Sequence, residues 1–417
     1  MLDTEPGTAP TLGVRGFRTR MLSPSLGVPL PVDGEKEDPM HRSVVIAIGV
    51  AIFLGATAAH AAPMFVGLGD VPGGAFQSRA TGVSANGSVV VGWSTSASGL
   101  EAFRWTAAGG MVGLGALPGQ TNSTASGVSA DGSVVVGGSG EAFRWTAQGG
   151  MVGLGSLLGV SGSGAVGVSA DGSVVVGNSS AQSPCGPGFI TTEGFRWTAA
   201  GGMVGLGFGG AGGCIPESTA LAVSGDGSAI AGSFGDPDVP VFSAARWTSS
   251  GGWGALATSL FGNADASDIS FDGSVVVGTI FPAGPPPGLP PQAFRWTAAT
   301  GSVGLGSLLP GEGSVAAAVS GDGSVVVGYA SGRPFIWDAT NGMRDLSQVL
   351  TSLGVDLTGW TLTSPTDISA DGSTIVGSGT NPSGQQEAWL AFIPEPSTAW
   401  LVALGIGGLA ARRGRGC

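Results

Sequence analysis

Residues 127–155 read GVSADGSVVVGGSGEAFRWTAQGGMVGLG, and this phrase returns with local variation seven times along the 417-residue chain. Its turn residue falls at Asn86, Asp131, Asp171, Asp226, Asp272, Asp322 and Asp371, at intervals of 40 to 55 residues. A Trp follows each turn, at Trp105, Trp145, Trp197, Trp247, Trp296, Trp337 and Trp389. Self-similarity at this period marks an array of one supersecondary unit, in which each copy buries its apolar face against the next.

Within a copy the period-two alternation and the β-branched runs predict strands. In the second copy these are Ser126 to Ala130, Ser133 to Gly137, Glu141 to Thr146 and Met151 to Gly155. Asp131-Gly132 is expected to form a two-residue hairpin turn with φ > 0 at both positions, and Gly149-Gly150 turns the chain again. Four short antiparallel strands repeated seven times predict an all-β, seven-bladed β-propeller spanning residues 62–393. The Asp-Gly and Gly-Gly turns are tight, whereas the segment after Val-Gly-Leu-Gly is long and variable, so the variable segment should link blades. The Gly-Val-Ser-Ala strand is then innermost, where small side chains suit the crowded axis. The last blade, ending at Glu387 to Phe392, lacks its outer strand. Residues Val66 to Gly69 are expected to supply it and close the ring, which removes the exposed edge.

Composition narrows the chemistry. Both histidines, His41 and His60, and the single lysine, Lys36, lie before residue 62. The body from Ala62 to Ile393 carries 21 acidic residues against 8 arginines, a net charge of −13. Histidine triads, histidine metal sites and lysine Schiff bases are excluded there. The absence of a basic patch argues against nucleic acid and anionic membranes. No cofactor or metal is expected.

The two ends read as addresses. Residues 1–39 are Pro-rich, charged and aperiodic, which fits a disordered extension or a start codon at Met40. From Met40, Arg42 provides a positive n-region, Ser43 to Gly55 an apolar core, and Ala59-His60-Ala61 a small-x-small cleavage site, so residues 40–61 are predicted to be a signal peptide. At the other end Pro394-Glu395-Pro396 precedes an apolar stretch and then Arg412, Arg413 and Arg415. Basic residues after the apolar stretch stay cytoplasmic, so the body should lie outside. Ser397 to Ala411 would form a hydrophobic helix about 22 Å long, short for a bilayer core of about 30 Å. Residues 394–417 closely resemble the PEP-CTERM signal of Gram-negative bacteria. That resemblance implies recognition by an exosortase, transient anchoring in the inner membrane, cleavage near the motif, and release to the cell surface.

The repeated unit, from about Phe65 to Phe392, resembles the HAF extracellular repeat family. The His of the His-Ala-Phe signature is absent: the positions read Glu101-Ala102-Phe103, Glu141-Ala142-Phe143, Glu193-Gly194-Phe195, Gln292-Ala293-Phe294 and Glu387-Ala388-Trp389. The family implies export and surface location, with no established enzymatic activity.

The recurring aspartates lack the spacing of a calcium loop, and Asn86 replaces one of them, so turn chemistry explains them better than metal binding. The glutamates at 101, 141, 193 and 387 share one repeat position, are held apart around the ring, and read as polar strand starts rather than paired catalytic carboxylates. In Phe-Arg-Trp the aromatics face one side and the Arg the other. Arg104, Arg144, Arg196, Arg246 and Arg295 are expected to make hydrogen bonds or ion pairs in the seams between blades. Function is expected on the variable-loop face. Trp93, Phe234, Phe281 and Tyr329 begin the longer loops there and are candidates to stack on sugars or apolar ligands. Cys185 and Cys214 lie in two loops expected on that face and could form a disulfide in an exported chain. The expected function is binding or scaffolding of extracellular matrix or exopolysaccharide, without enzymatic activity. The alternatives are a glycan-acting enzyme using carboxylates on the same face, and a structural surface protein without a specific ligand.

Overall fold

Seven four-stranded antiparallel sheets, each following the pattern of residues 127–155, are arranged as the blades of a propeller. The structure, a computed structural model, describes residues 62–394 apart from 158–161, 183–189, 210–216, 236–241, 258–262 and 283–288. The proposed cleavage residues Ala59 and Ala61, Glu395 and the rest of the C-terminal segment, and both Cys185 and Cys214 lie outside the described residues. In blade 1 the strands are Gly73–Val83, Val89–Ser96, Gly99–Thr106 and Gly110–Gly113. In blade 2 they are Thr124–Val128, Val134–Ser139, Glu141–Thr146 and Gly150–Gly153. Blades 3 to 6 begin at Ser163, Ser218, Asn263 and Ser314. First strands of successive blades neighbour one another around the axis, so the small-residue strand is innermost.

The ring closes as the missing outer strand requires, two residues earlier than expected. Blade 7 comprises Thr361–Ile368, Thr374–Thr380 and Gln386–Phe392, and its fourth strand is Met64–Gly67. Met64 lies opposite Phe392 and Gly67 opposite Trp389. The shift follows from the Val-Gly-Leu-Gly segment itself. The strand ends at its first Gly, and the Leu turns inward: Leu68, Leu206 and Leu305 are buried and Leu114 and Leu154 half-buried, whereas Val112, Val152, Val204 and Val303 face solvent. Where the leucine is fully buried it locks the start of the link, which is worth roughly 1.5–3 kcal/mol in apolar burial.

Register corrects the seventh Trp. Gly92 opposes Phe103 and Val90 opposes Trp105 in blade 1, whereas Gly377 opposes Trp389 and Ile375 opposes Ala391 in blade 7. Trp389 therefore stands where other blades carry Phe, and Ala391 stands at the Trp position. Trp389 is fully buried. Gly92 and its counterparts are required by close approach: a Cβ on Gly137 would collide with the carbonyl oxygen of Thr124.

The hairpin between first and second strands is not the expected two-residue turn. Only the Gly takes positive φ, at +73° for Gly132, and no Asp does. Gly132 N–H donates to Ser129 O, which closes a four-residue turn, and Asp131 Oδ1 accepts from Ser129 Oγ, Ser133 N–H and Ser133 Oγ. Asn86 accepts the same three bonds through its amide oxygen, so the exchange of Asp for Asn keeps the turn. These hydrogen bonds, that from Ser129 foremost, hold the Asp131 carboxyl below its ordinary range, and the Ser169 bond leads in bringing Asp171 down to about 2.

Turns of successive blades are joined through the backbone. Ala85 N–H donates to Ala130 O, Ala130 to Ala170, Ala170 to Gly225, Gly225 to Phe271, Phe271 to Gly321, Gly321 to Ala370, and Ala370 back to Ala85. The seven bonds, 2.8–3.1 Å long, form a closed circle around one mouth of the axis. The arginines of Phe-Arg-Trp reinforce it. Arg104, Arg144, Arg246 and Arg295 each donate Nε–H to the turn glycine carbonyl of the next blade, at 2.9–3.3 Å. These arginines use hydrogen bonds rather than ion pairs; the ion pairs among the described residues are Arg333–Asp345 and Arg344–Asp338.

At the opposite end serines stitch the seams. Ser123 accepts from Ala102 N–H across the seam and donates to Gly115 O in the link; Ser314 does the same with Ala293 and Gly306, and Ser78 with Ala388 and Gly69. Ser123→Ala is expected to cost about 1–3 kcal/mol, because it leaves a buried N–H without a partner. Urea unfolding followed by Trp fluorescence measures it, and an unchanged midpoint would show that water replaces the hydroxyl.

Candidate functional site

The glutamates of the repeat are committed to structure. Oε1 of Glu101, Glu193 and Glu387 accepts from the backbone N–H of Gly115, Gly207 and Gly69 in the link that leaves the outer strand. They anchor links, which is more specific than a polar strand start.

Two other carboxylates break the repeat. Every innermost strand carries a β-bulge at the same place, and the residue just after it is Gly82, Gly127, Gly167, Ala222, Asp268, Ala318 or Asp367. Five are small and two are acidic. Asp268 and Asp367 line an axial cavity of about 260 Å³ together with Thr81, Ser126, Ser267 and Thr366, and no other titratable group lines it. In Asp268, Oδ1 accepts from Ile269 N–H and Oδ2 from Val319 N–H of the next blade, both at 2.8 Å. In Asp367, Oδ1 accepts from Ile368 N–H and Oδ2 from Val83 N–H, again at 2.8 Å. Each carboxylate thus spans a seam, between blades 5 and 6 and between blades 7 and 1. The surface they retain faces only the narrow channel, so they are desolvated. Burial raises Asp268 to about 7, and burial followed by the charge of Asp268 raises Asp367 to about 8. Such a pair holds a proton near neutral pH. The residue types aligned at this position already single it out, but reading the strand merely as small side chains passes over it.

The four aromatic candidates are not brought together. Trp93 and Tyr329 share a repeat position, one residue after the glycine that opposes Phe, in blades 1 and 6. Trp93 is half-buried, and Phe281 and Tyr329 are 38% and 41% exposed. The ring of Phe234 packs beside Gly209 in the link that precedes its blade. None of the four lines a cavity described here.

The variable-loop face instead carries a feature that the described residues of the other blades lack. After the outer strand of blade 6, Gly342–Asp345, the chain forms a helix, Leu346–Ser352. Asp345 caps it by accepting from Ser347 N–H and Gln348 N–H, and Leu346 and Leu350 are buried in the core shared by blades 6 and 7. Nothing in the repeat predicts this insertion. Its flanks form two clefts. One, of about 540 Å³, includes Arg333, Arg344, Met343 and Leu309; the other, of about 490 Å³, includes Trp360, Leu357 and Thr351.

Among the described residues no three His, Cys, Asp or Glu side chains converge as metal ligands would, and no helix is long and apolar enough to cross a membrane. No family model matches the sequence, and no curated protein is similar to it. Several solved structures resemble it at low identity. An oligogalacturonate lyase from Vibrio parahaemolyticus is 10% identical over 79% of this chain and 94% of its own, with a TM-score of 0.49. TolB from Acinetobacter baumannii is 11% identical over 75% of this chain and 65% of its own, with a TM-score of 0.41. A puromycin hydrolase is 16% identical over 74% of this chain and 51% of its own, with a TM-score of 0.48. The likeness is one of fold.

Proposed function

We propose that the protein is exported, sorted to the cell surface through its C-terminal signal, and binds extracellular matrix polysaccharide there. The observation that carries the binding reading is the inequality of the two faces. One presents seven near-identical turns whose polar groups are satisfied by one another; the other varies from blade to blade and bears the inserted helix with its two clefts. A rigid closed scaffold with one varied face suits recognition. The test is co-sedimentation of the purified protein with the matrix polysaccharide of its own host, with release of reducing ends assayed in the same tube. Binding without release is expected, and failure to bind overturns the reading.

A second reading, a glycan-acting enzyme, draws on Asp268 and Asp367, since a carboxyl ionising near neutrality suits a general acid. Their position in the axial channel rather than on the varied face weighs against it. Release of reducing ends that disappears in Asp367→Ala would establish it.

A further inference from the structure

We propose that the cleft between the inserted helix and blade 6 binds a uronic-acid residue, with Arg333 and Arg344 holding its carboxylate. This rests on, and sharpens, the polysaccharide-binding reading above.

The body holds eight arginines and no lysine or histidine. Five occupy the seam position of Phe-Arg-Trp, and Arg79 lies in the innermost strand of blade 1. The remaining two, Arg333 and Arg344, line one cleft. Blade 6 departs from the repeat to put them there. Its seam position is Ile336, and opposite it Arg344 replaces the exposed Val of blades 1, 2, 3 and 5. Arg333 comes from the hairpin between the second and third strands.

Most of the guanidinium donors are uncommitted. Arg344 Nη2 donates to Asp338 Oδ2 at 2.6 Å, but its Nε is buried without a partner. Arg333 is 56% exposed, and its nearest acid, Asp345 Oδ2, lies 3.8 Å away, beyond hydrogen-bond range. Asp345 already serves the helix cap through Oδ1. A planar carboxylate matches the guanidinium fork, and Arg333 and the exposed part of Arg344 present such forks to the cleft. Asp338 and Asp345 leave the local charge near neutral, so directed hydrogen bonds rather than net charge would set recognition.

The other wall is apolar. Met343 and Val349 flank the cleft, and Leu309 is 44% exposed at its edge. Gln348 adds an amide able to bond a hydroxyl. A uronate ring offers the matching parts: a carboxylate, a C–H face and hydroxyls. The volume of about 540 Å³ accommodates a sugar unit. The body's net charge of −13 repels densely charged polyanions, so the site suits acidic units spaced among neutral ones.

Calorimetric titration of the purified protein with methyl glucuronide, galacturonate, glucose and hexanoate tests this. Saturable one-site binding of a uronate is expected, with glucose at least tenfold weaker. Arg333→Ala is expected to weaken uronate at least tenfold with an unchanged melting temperature, since that side chain is exposed, and Arg333→Lys to recover part of the loss. Failure of both uronates to bind, equal binding of glucose, tighter binding of hexanoate, or indifference to Arg333→Ala would each overturn the proposal. Retention of matrix polysaccharide by Arg333→Ala would overturn the cleft's role while leaving the broader reading intact, whereas a parent protein that fails to bind the matrix removes the broader reading itself.

Discussion

Deleting residues 62–70 is expected to cost the protein its cooperative fold rather than one strand. The segment supplies the outer strand of blade 7, and its contacts extend further than pairing. Leu68 N–H donates to Ala388 O, Gly69 N–H donates to Glu387 Oε1, and Gly69 O accepts from Ser78. Phe65 packs edge-on to Trp360 at 5.0 Å and tilted against Trp389 at 6.0 Å. Phe65 is half-buried and Leu68 buried, so their lost apolar contact is worth roughly 2–5 kcal/mol, and Glu387 loses one of its hydrogen-bond partners. Against a total stability of about 5–15 kcal/mol this is enough to unfold much of the population. The measurement is a urea transition of the deletion variant beside its parent; a shared midpoint would show that the ring holds without its clasp.

The second large effect concerns acidity. Asp268 and Asp367 ionise at about 7 and about 8 in the folded chain, against 3.8 for an ordinary Asp. Between pH 4 and pH 8 the native state therefore keeps protons that the unfolded chain has released. Stability falls as pH rises across that window, at about 1.4 kcal/mol per pH unit for each proton held, and the loss is complete above the folded values. The turn aspartates act in the opposite sense. Asp131, Asp171, Asp226, Asp272, Asp322 and Asp371 are all lowered, so their stabilisation is present above about pH 4 and disappears as pH falls through their folded values. Unfolding free energy should therefore peak near pH 4–5. The double variant Asp268→Ala, Asp367→Ala restores the small residue of the other five blades and should flatten the decline toward pH 8, despite leaving the Val319 and Val83 N–H groups to water. Parallel pH profiles for parent and variant would refute the account.

The fold was legible because a strand repeat fixes the same choice seven times. Alternation gave the strands, loop length gave the order of strands within a blade, and the unpaired Glu387 to Phe392 required a partner from the other end of the chain. The misreadings came where one position carries two constraints. Asp131-Gly132 looks like a two-residue turn until the serines at 129 and 133 are counted, since they hold the Asp in ordinary φ and leave only the Gly left-handed. Trp389 looks like the repeat's Trp, but the Gly opposite it sets the register, and it fills the Phe site. The candidate site was less legible because it depends on exceptions. Trp93, Phe234, Phe281 and Tyr329 share only a place at the start of a loop, a property with no bearing on convergence. Arg344 replacing a Val, Ile336 replacing an Arg, and Asp268 and Asp367 replacing Gly or Ala are visible only once the copies are superposed by register.

The circle of turn-to-turn hydrogen bonds has an electrical consequence. Peptide dipoles aligned along a line leave partial charges at its ends, as in a helix. Here seven N–H···O=C links run head to tail from Ala85 through Phe271 and back, and a closed loop has no ends. Its moments cancel around the axis, and its seven donors are already spent on its seven acceptors. That mouth of the channel therefore offers an arriving ion neither a directed field nor a free backbone N–H from this circle. Because no side chain takes part in these links, Ala, Gly and Phe serve equally well at the seven positions. Proline alone would open the circuit.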